Sequence, residues 1–188
     1  MKKCFSYALP TALLFSAAAV LAQPPMGERP PPTELGSMPA EAQFPTVEFI
    51  FEERVTLGPA VVLGDTVKGH RQYIPITGGT VVGPKFNGRV VPGGWDYQQR
   101  EAESGCLTMT ADYFLESDDG VVIRLLNEAF NCNLGAAGDG SRSYFRPRFE
   151  APVGKYSWMS SGTFVASLEG DFGGDDGPAI RIKVYQIK

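Results

Sequence analysis

An aspartate, Asp96, stands between two aromatic residues, Trp95 and Tyr97, in the run Gly93-Gly94-Trp95-Asp96-Tyr97. A carboxyl group among aromatic rings loses hydration, which raises its pKa and suits it to act as a general acid or base. The structural alternative is a turn carboxylate that accepts hydrogen bonds from nearby backbone N–H groups. A second set of polar residues follows a strand period: Tyr144, Arg146, Arg148 and Glu150 alternate with Phe145, Pro147 and Phe149. Charges on one strand face either meet solvent or line a wet interior that holds an anionic or carbonyl ligand. Arg71 is a further guanidinium suited to carboxylate recognition.

Other chemistry is thinly represented. His70 is the only histidine, so neither a histidine-rich metal centre nor a catalytic triad is expected. Gly78-Gly79 and Gly93-Gly94 are followed by no lysine and no helical pattern, so they are not phosphate loops, and no cofactor motif is present. The acidic glycine stretch from Gly170 to Gly177 reads as an exposed hairpin loop, with calcium binding as the alternative.

These side chains need a scaffold, and the pattern of the chain is that of strands. Runs rich in β-branched and aromatic residues lie near Val47–Leu57, Ala60–Leu63, Arg71–Thr77, Gly88–Val91, Trp95–Arg100, Cys106–Glu116, Val121–Asn131, Tyr144–Glu150, Lys155–Leu168 and Ala179–Ile187. Gly, Pro, Asn and Asp separate them, and only Leu126 to Phe130 would tolerate a helical turn. Many short strands with hairpin turns predict an all-β antiparallel sandwich or closed barrel. Read as a strand, Lys155–Leu168 puts Tyr156 and Trp158 on one face with Ser160, Gly162 and Phe164, as core or as a ligand wall.

Ser117-Asp118-Asp119-Gly120 is a strong turn signal. A three-residue loop, Asp118 to Gly120, with Gly120 left-handed, pairs Ser117 with Val121 and sets Cys106 opposite Cys132. A disulfide between them would contribute about 3 kcal/mol. The alternatives are two buried free thiols, or a two-residue loop that slips the register by one. In the loop-derived register, Leu107, Met109, Ala111, Tyr113 and Leu115 share a face with Val121, Ile123, Leu125, Asn127 and Ala129. Asn127 is then a polar group among core residues, either satisfied there or lining a cavity.

The first 22 residues read as a signal peptide. Lys2 and Lys3 precede an apolar run from Ala8 to Leu21, and Val20-Leu21-Ala22 fits a small-residue cleavage site. The run is short for a membrane span, so export to the periplasm or beyond is expected, without stable membrane insertion. Residues 23–45 carry seven prolines and few large apolar residues, which predicts a disordered linker, and the folded domain is expected at 46–188. The net charge of −4 argues against nucleic acid as a partner, and removal of Lys2 and Lys3 makes the chain more acidic still.

Several of these landmarks occur together in one known family. Arg71 with Ile74-Pro75-Ile76-Thr77-Gly78-Gly79, Gly83-Pro84, Pro92-Gly93-Gly94-Trp95-Asp96-Tyr97, Asp112-Tyr113, Glu116 to Gly120, Asn127, Tyr144 to Glu150 and Tyr156-Ser157-Trp158 resemble the small β-barrel proteins of domain-of-unknown-function family 3237. The resemblance implies a single antiparallel, lipocalin-like barrel with a pocket in its mouth. The chain departs from the family in having Trp95 in place of a small residue, Tyr97 in place of Trp, and Ser160 or Ser161 in place of Asn. On this reading the pocket takes a small aromatic or carbonyl-bearing molecule. Its expected contacts are Trp95, Tyr97, Tyr113 and Trp158 as walls, with Arg71, Asn127, Arg146 and Glu150 as polar partners. Two other readings stand beside this one. The first is a cofactor-free isomerase, cyclase or lyase with Asp96 as general base and Arg146 or Asn127 steadying an enolate; the second is a structural module of an envelope assembly.

Overall fold

The computed structural model describes residues 44–132, 143–171 and 177–188. The predicted leader, all of the predicted linker except Phe44 and Pro45, and residues 172–176 of the acidic glycine loop lie outside them. Among the described residues, nine strands and one short helix form: β1 (Val47–Leu57), β2 (Val61–Thr66), β3 (Gly69–Val82), β4 (Gly88–Glu101), β5 (Leu107–Ser117), β6 (Val122–Asn131), β7 (Ser143–Glu150), α1 (Ser157–Ser161), β8 (Thr163–Asp171) and β9 (Ala179–Ile187). All pairings are antiparallel, in the order β1-β9-β8-β7-β6-β5-β4-β3-β2. A further pairing of β1 with β3 closes eight of the strands into a barrel and leaves β2 as a flap on β3.

Closure depends on a change of partner within β3. Its first half, Gly69 to Tyr73, pairs with β2, and its last part, Gly78 to Val82, pairs with β1. The switch falls in Pro75-Ile76-Thr77-Gly78-Gly79, where the ladder to β4 is interrupted. Pro75 has no N–H to give, and its carbonyl accepts from the Gly58 N–H at 2.8 Å. Gly79 has φ +146°, and a Cβ there would lie 2.0 Å from the Arg54 carbonyl oxygen, so β1 could not approach past any side chain.

The β5–β6 hairpin has the expected register, with Leu107 opposite Asn131 and Glu116 opposite Val122. Gly120 has φ +80°, the Ser117 N–H bonds the Val121 carbonyl, and Cys106 and Cys132 are joined in a disulfide. Two expectations change. Gly88–Val91 and Trp95–Arg100 form one strand, β4, bulged between Val91 and Trp95. Lys155–Leu168 is not one strand: Ser157–Ser161 is a helical turn, entered through Gly154 at φ +138°. The Ser157 N–H and hydroxyl both donate to the Gly154 carbonyl, and the Ser160 hydroxyl accepts from the Ala151 N–H at 2.8 Å. These local bonds outcompete a strand ladder, so Tyr156 and Trp158 do not share a strand face.

One half of the interior is packed solid. Phe51, Phe86, Phe149 and Phe164 stack edge-on or tilted with Tyr156 at centroid distances of 4.9–6.1 Å, and Met159 of α1 is buried against this cluster. Tyr156 and Lys155 also bond Asp119 at 2.9 and 2.7 Å, which ties the β5–β6 turn to this end.

Replacing both cysteines by serine removes a bridge that closes a 26-residue separation. The expected loss is about 3 kcal/mol of unfolding free energy, read as a lower urea midpoint with a somewhat steeper slope, because the unfolded chain without the bridge is less compact. An unchanged midpoint would show that the bridge constrains nothing in the unfolded chain.

Candidate functional site

The other half of the interior is a cavity of about 240 Å³. Its wall is apolar over most of its area, with Val55 and Leu57 of β1, Ile76 of β3, Met109 of β5, Phe145 of β7, Leu168 of β8 and Ile182 of β9. Four polar side chains join that lining: Asp96, Gln98, Tyr113 and Asn127. Their convergence follows from register. Ile74, Asp96, Ala111, Asn127 and Pro147 occupy one row across β3 to β7, so they point to the same side. Gln98 lies two residues beyond Asp96, on the same face, and donates to Asp96 Oδ2 at 2.8 Å.

Tyr113 forms the boundary between cavity and aromatic plug. It is fully buried, and its hydroxyl donates to Glu53 Oε1 at 2.5 Å from β5 across to β1. Gly94 makes this possible, because a Cβ there would lie 2.4 Å from Tyr113 Cβ. The Glu53 carboxyl is wholly buried, and Oε2 finds no hydrogen-bond partner among the described residues. Burial pushes its pKa up from 4.5 to about 8, against the lowering effect of the Tyr113 hydroxyl. Glu53 is therefore protonated at neutral pH. The Tyr113 hydroxyl is pushed well above its ordinary value by burial first, then by the charges of Glu53 and Asp96. Burial also raises Asp96, and the Gln98 amide offsets this only in part.

The expected site residues separate into distinct places. Asp96, Tyr113 and Asn127 meet at the cavity. Trp95 and Tyr97 lie on the opposite side of β4 from Asp96. Their rings meet edge-on at 6.1 Å and line a separate groove of about 590 Å³ with Tyr73 and Pro75. Trp158 is at the plugged end beside Phe164, next to a smaller pocket with Glu48, Lys85 and Lys188. Arg146 and Glu150 are exposed on the outer face of β7, where Glu150 accepts from Arg124 at 3.4 Å. Arg71 is buried, and its guanidinium donates to the carbonyls of Lys68, His70 and Arg100 and to Glu101 Oε1 at 2.9–3.2 Å. It clamps the β2–β3 turn to the end of β4. The envisaged grip of Trp95, Tyr97, Tyr113 and Trp158 around one molecule is therefore corrected, because strand alternation and α1 carry these rings to different surfaces.

Glu53 and Gln98 are the polar residues that sequence reasoning missed. The signal for Glu53 was present: it shares a strand face with Phe51, Val55 and Leu57, an acid in an apolar stripe.

Comparison with known proteins fits this architecture. Residues 45–187 match a family model described as "Protein of unknown function (DUF3237)". A UPF0311 protein of Clostridium acetobutylicum is 35% identical over 130 residues, covering 63% of this chain and 82% of that protein. A protein of Penicillium herquei named hydroalkoxylation enzyme phnH is 29% identical over 131 residues, covering 70% of this chain and 77% of that protein. Among solved structures, a β-barrel-like protein of Acinetobacter baumannii superposes with a TM-score of 0.67 at 28% identity, covering 80% of this chain and all of the other.

The raised pKa of Glu53 predicts a pH-dependent stability. Below about 4.5 the carboxyl is protonated in both folded and unfolded chains, and its burial carries no ionic penalty. Between about 4.5 and about 8 the unfolded chain alone releases the proton, so stability falls with rising pH. The total fall is about 5 kcal/mol at most, at about 1.4 kcal/mol per unit. Urea unfolding of the wild type against Glu53→Gln across this range isolates it: the difference is expected to drift in favour of the variant as pH rises. A pH-independent difference would assign Glu53 an ordinary carboxyl.

Proposed function

The chain belongs to the DUF3237 family, and from that premise we propose that its barrel cavity binds a small aromatic or carbonyl-bearing molecule on which Asp96 moves a proton. The observation that carries this reading is a carboxyl group of raised pKa in the wall of a mostly apolar cavity. A base in such surroundings is less solvated and better matched in pKa to weakly acidic O–H or C–H groups than a surface carboxylate.

The name of the Penicillium relative supports a reaction class, the addition of an O–H across a carbon–carbon double bond. On a carbonyl-conjugated alkene the step balances without an oxidant or reductant. Asp96 takes the hydroxyl proton as the oxygen bonds to the β carbon, and the π electrons move towards the carbonyl oxygen. The same carboxyl then returns the proton to the α carbon. The growing oxyanion needs a donor: when protonated Glu53 donates to the Tyr113 oxygen, reversing the bond between them, the Tyr113 hydroxyl is free to turn its own proton towards the cavity. The Cys106–Cys132 bridge supports an oxidising compartment, and with it export, as the setting of this activity.

The test uses phenols that carry an ortho enone, with ring closure followed as loss of the conjugated absorbance. Wild-type protein is expected to accelerate closure, and Asp96→Asn to lower turnover by about 10²- to 10⁴-fold with little change in affinity. The rate should rise with pH through a pKa above the ordinary 3.8 of an aspartate and fall again near 8 as Glu53 ionises. Binding without turnover in either protein would favour a carrier. Equal rates in both proteins would remove Asp96 from the chemistry.

A further inference from the structure

We infer that the cavity anchors its ligand through a hydroxyl donor at Asn127, and so selects phenols and other O–H compounds over ethers and over carbonyl compounds that lack an O–H. The inference rests on the cavity reading above and deepens it by naming a recognised group, an O–H distinct from the hydroxyl whose proton passes to Asp96.

Asn127 lines the cavity and is 1% exposed, yet its Oδ1 has no hydrogen-bond partner among the described residues. A buried amide oxygen without a donor is rare in folded proteins, because water has been removed and nothing replaces it. The cavity in front of it is where a partner can come. Asn127 and Asp96 stand on either side of Ala111 in the same row, two strand spacings apart, or about 10 Å between Cα atoms. The alanine methyl leaves the space between them unfilled. An O–H in that space satisfies the orphaned oxygen. An ether or ketone oxygen at the same point would set lone pair against lone pair.

Size narrows the class further. An apolar cavity of about 150 Å³ holds benzene. The present cavity, at about 240 Å³, has room for a fused bicyclic ring with one substituent. Met109, Phe145 and Ile182 supply apolar contact for its faces.

The experiment compares naphthalene, 2-naphthol, 2-methoxynaphthalene and 2-acetylnaphthalene by titration calorimetry at pH 6, where the naphthol is neutral. Wild-type protein is expected to bind 2-naphthol at least tenfold tighter than the methyl ether and the ketone. Asn127→Leu keeps the side-chain volume and removes the acceptor, and should bring the naphthol and its ether within about threefold of each other while leaving naphthalene nearly unchanged. Equal wild-type affinities for naphthol and ether overturn the inference. Tighter binding of the ketone also overturns it, since the amide would then present its N–H₂ to the cavity. So does a preference for naphthol that survives in Asn127→Leu. Should that variant fail to fold, the wild-type ratio decides by itself. Failure of every naphthalene to bind would overturn the cavity reading as well, which separates the two claims.

Discussion

The contact between Gly79 and the Arg54 carbonyl is the closure point of the barrel. Without a side chain at Gly79, β1 and β3 come within ladder distance, and the sheet meets itself. An open sheet would leave two edges and a wet inner face. A closed one creates an interior, and only an interior can desolvate Glu53, Tyr113 and Asp96. The chemistry attributed to Asp96 thus traces back to a missing methyl group some distance from it. The same logic applies at Gly94, whose lack of a Cβ admits Tyr113 into the barrel.

Once inside, Tyr113 and Glu53 join strands that are not neighbours in the sheet. The bond is short and buried, and it sits where the aromatic plug ends and the cavity begins. Burial dominates the electrostatics here: it holds a proton on Glu53 at neutral pH, and it lifts Asp96 despite the amide beside it. The outer faces behave differently. Asp112 accepts two bonds from Arg124, and its pKa is lowered by that guanidinium. Two aspartates sixteen positions apart in the sequence therefore have opposite shifts because one faces inward and the other faces water.

Much of the scaffold was legible because hairpins are local. The turn at Asp118 to Gly120 fixed the β5–β6 register, and with it the facing cysteines and the inward set that includes Tyr113 and Asn127. The alternation around Phe145 showed that β7 has two faces but left open which is buried, and Arg146 and Glu150, expected at the pocket, lie on the outer one. Longer-range features were harder to read. The switch of partners within β3 depends on β1, distant in sequence, so the glycines at Gly78-Gly79 resembled an ordinary turn. Trp95 and Tyr97 flank Asp96 in sequence and so point away from it in a strand. Arg71 had the chemistry of a ligand contact, yet backbone carbonyls occupy its guanidinium. Glu53 was overlooked because its bond to Tyr113 spans 60 positions and exists only after closure.

The Tyr113–Glu53 crossbar divides the barrel into two storeys with different duties. The lower storey, with Phe51, Phe86, Phe149 and Phe164, holds the fold together and has little freedom to vary. The upper storey is lined by residues whose replacement changes the shape of a void without disturbing that stack. Substitutions there can therefore reshape the void while the aromatic stack stays in place. Such a division uncouples the shape of the void from the packing that holds the barrel together.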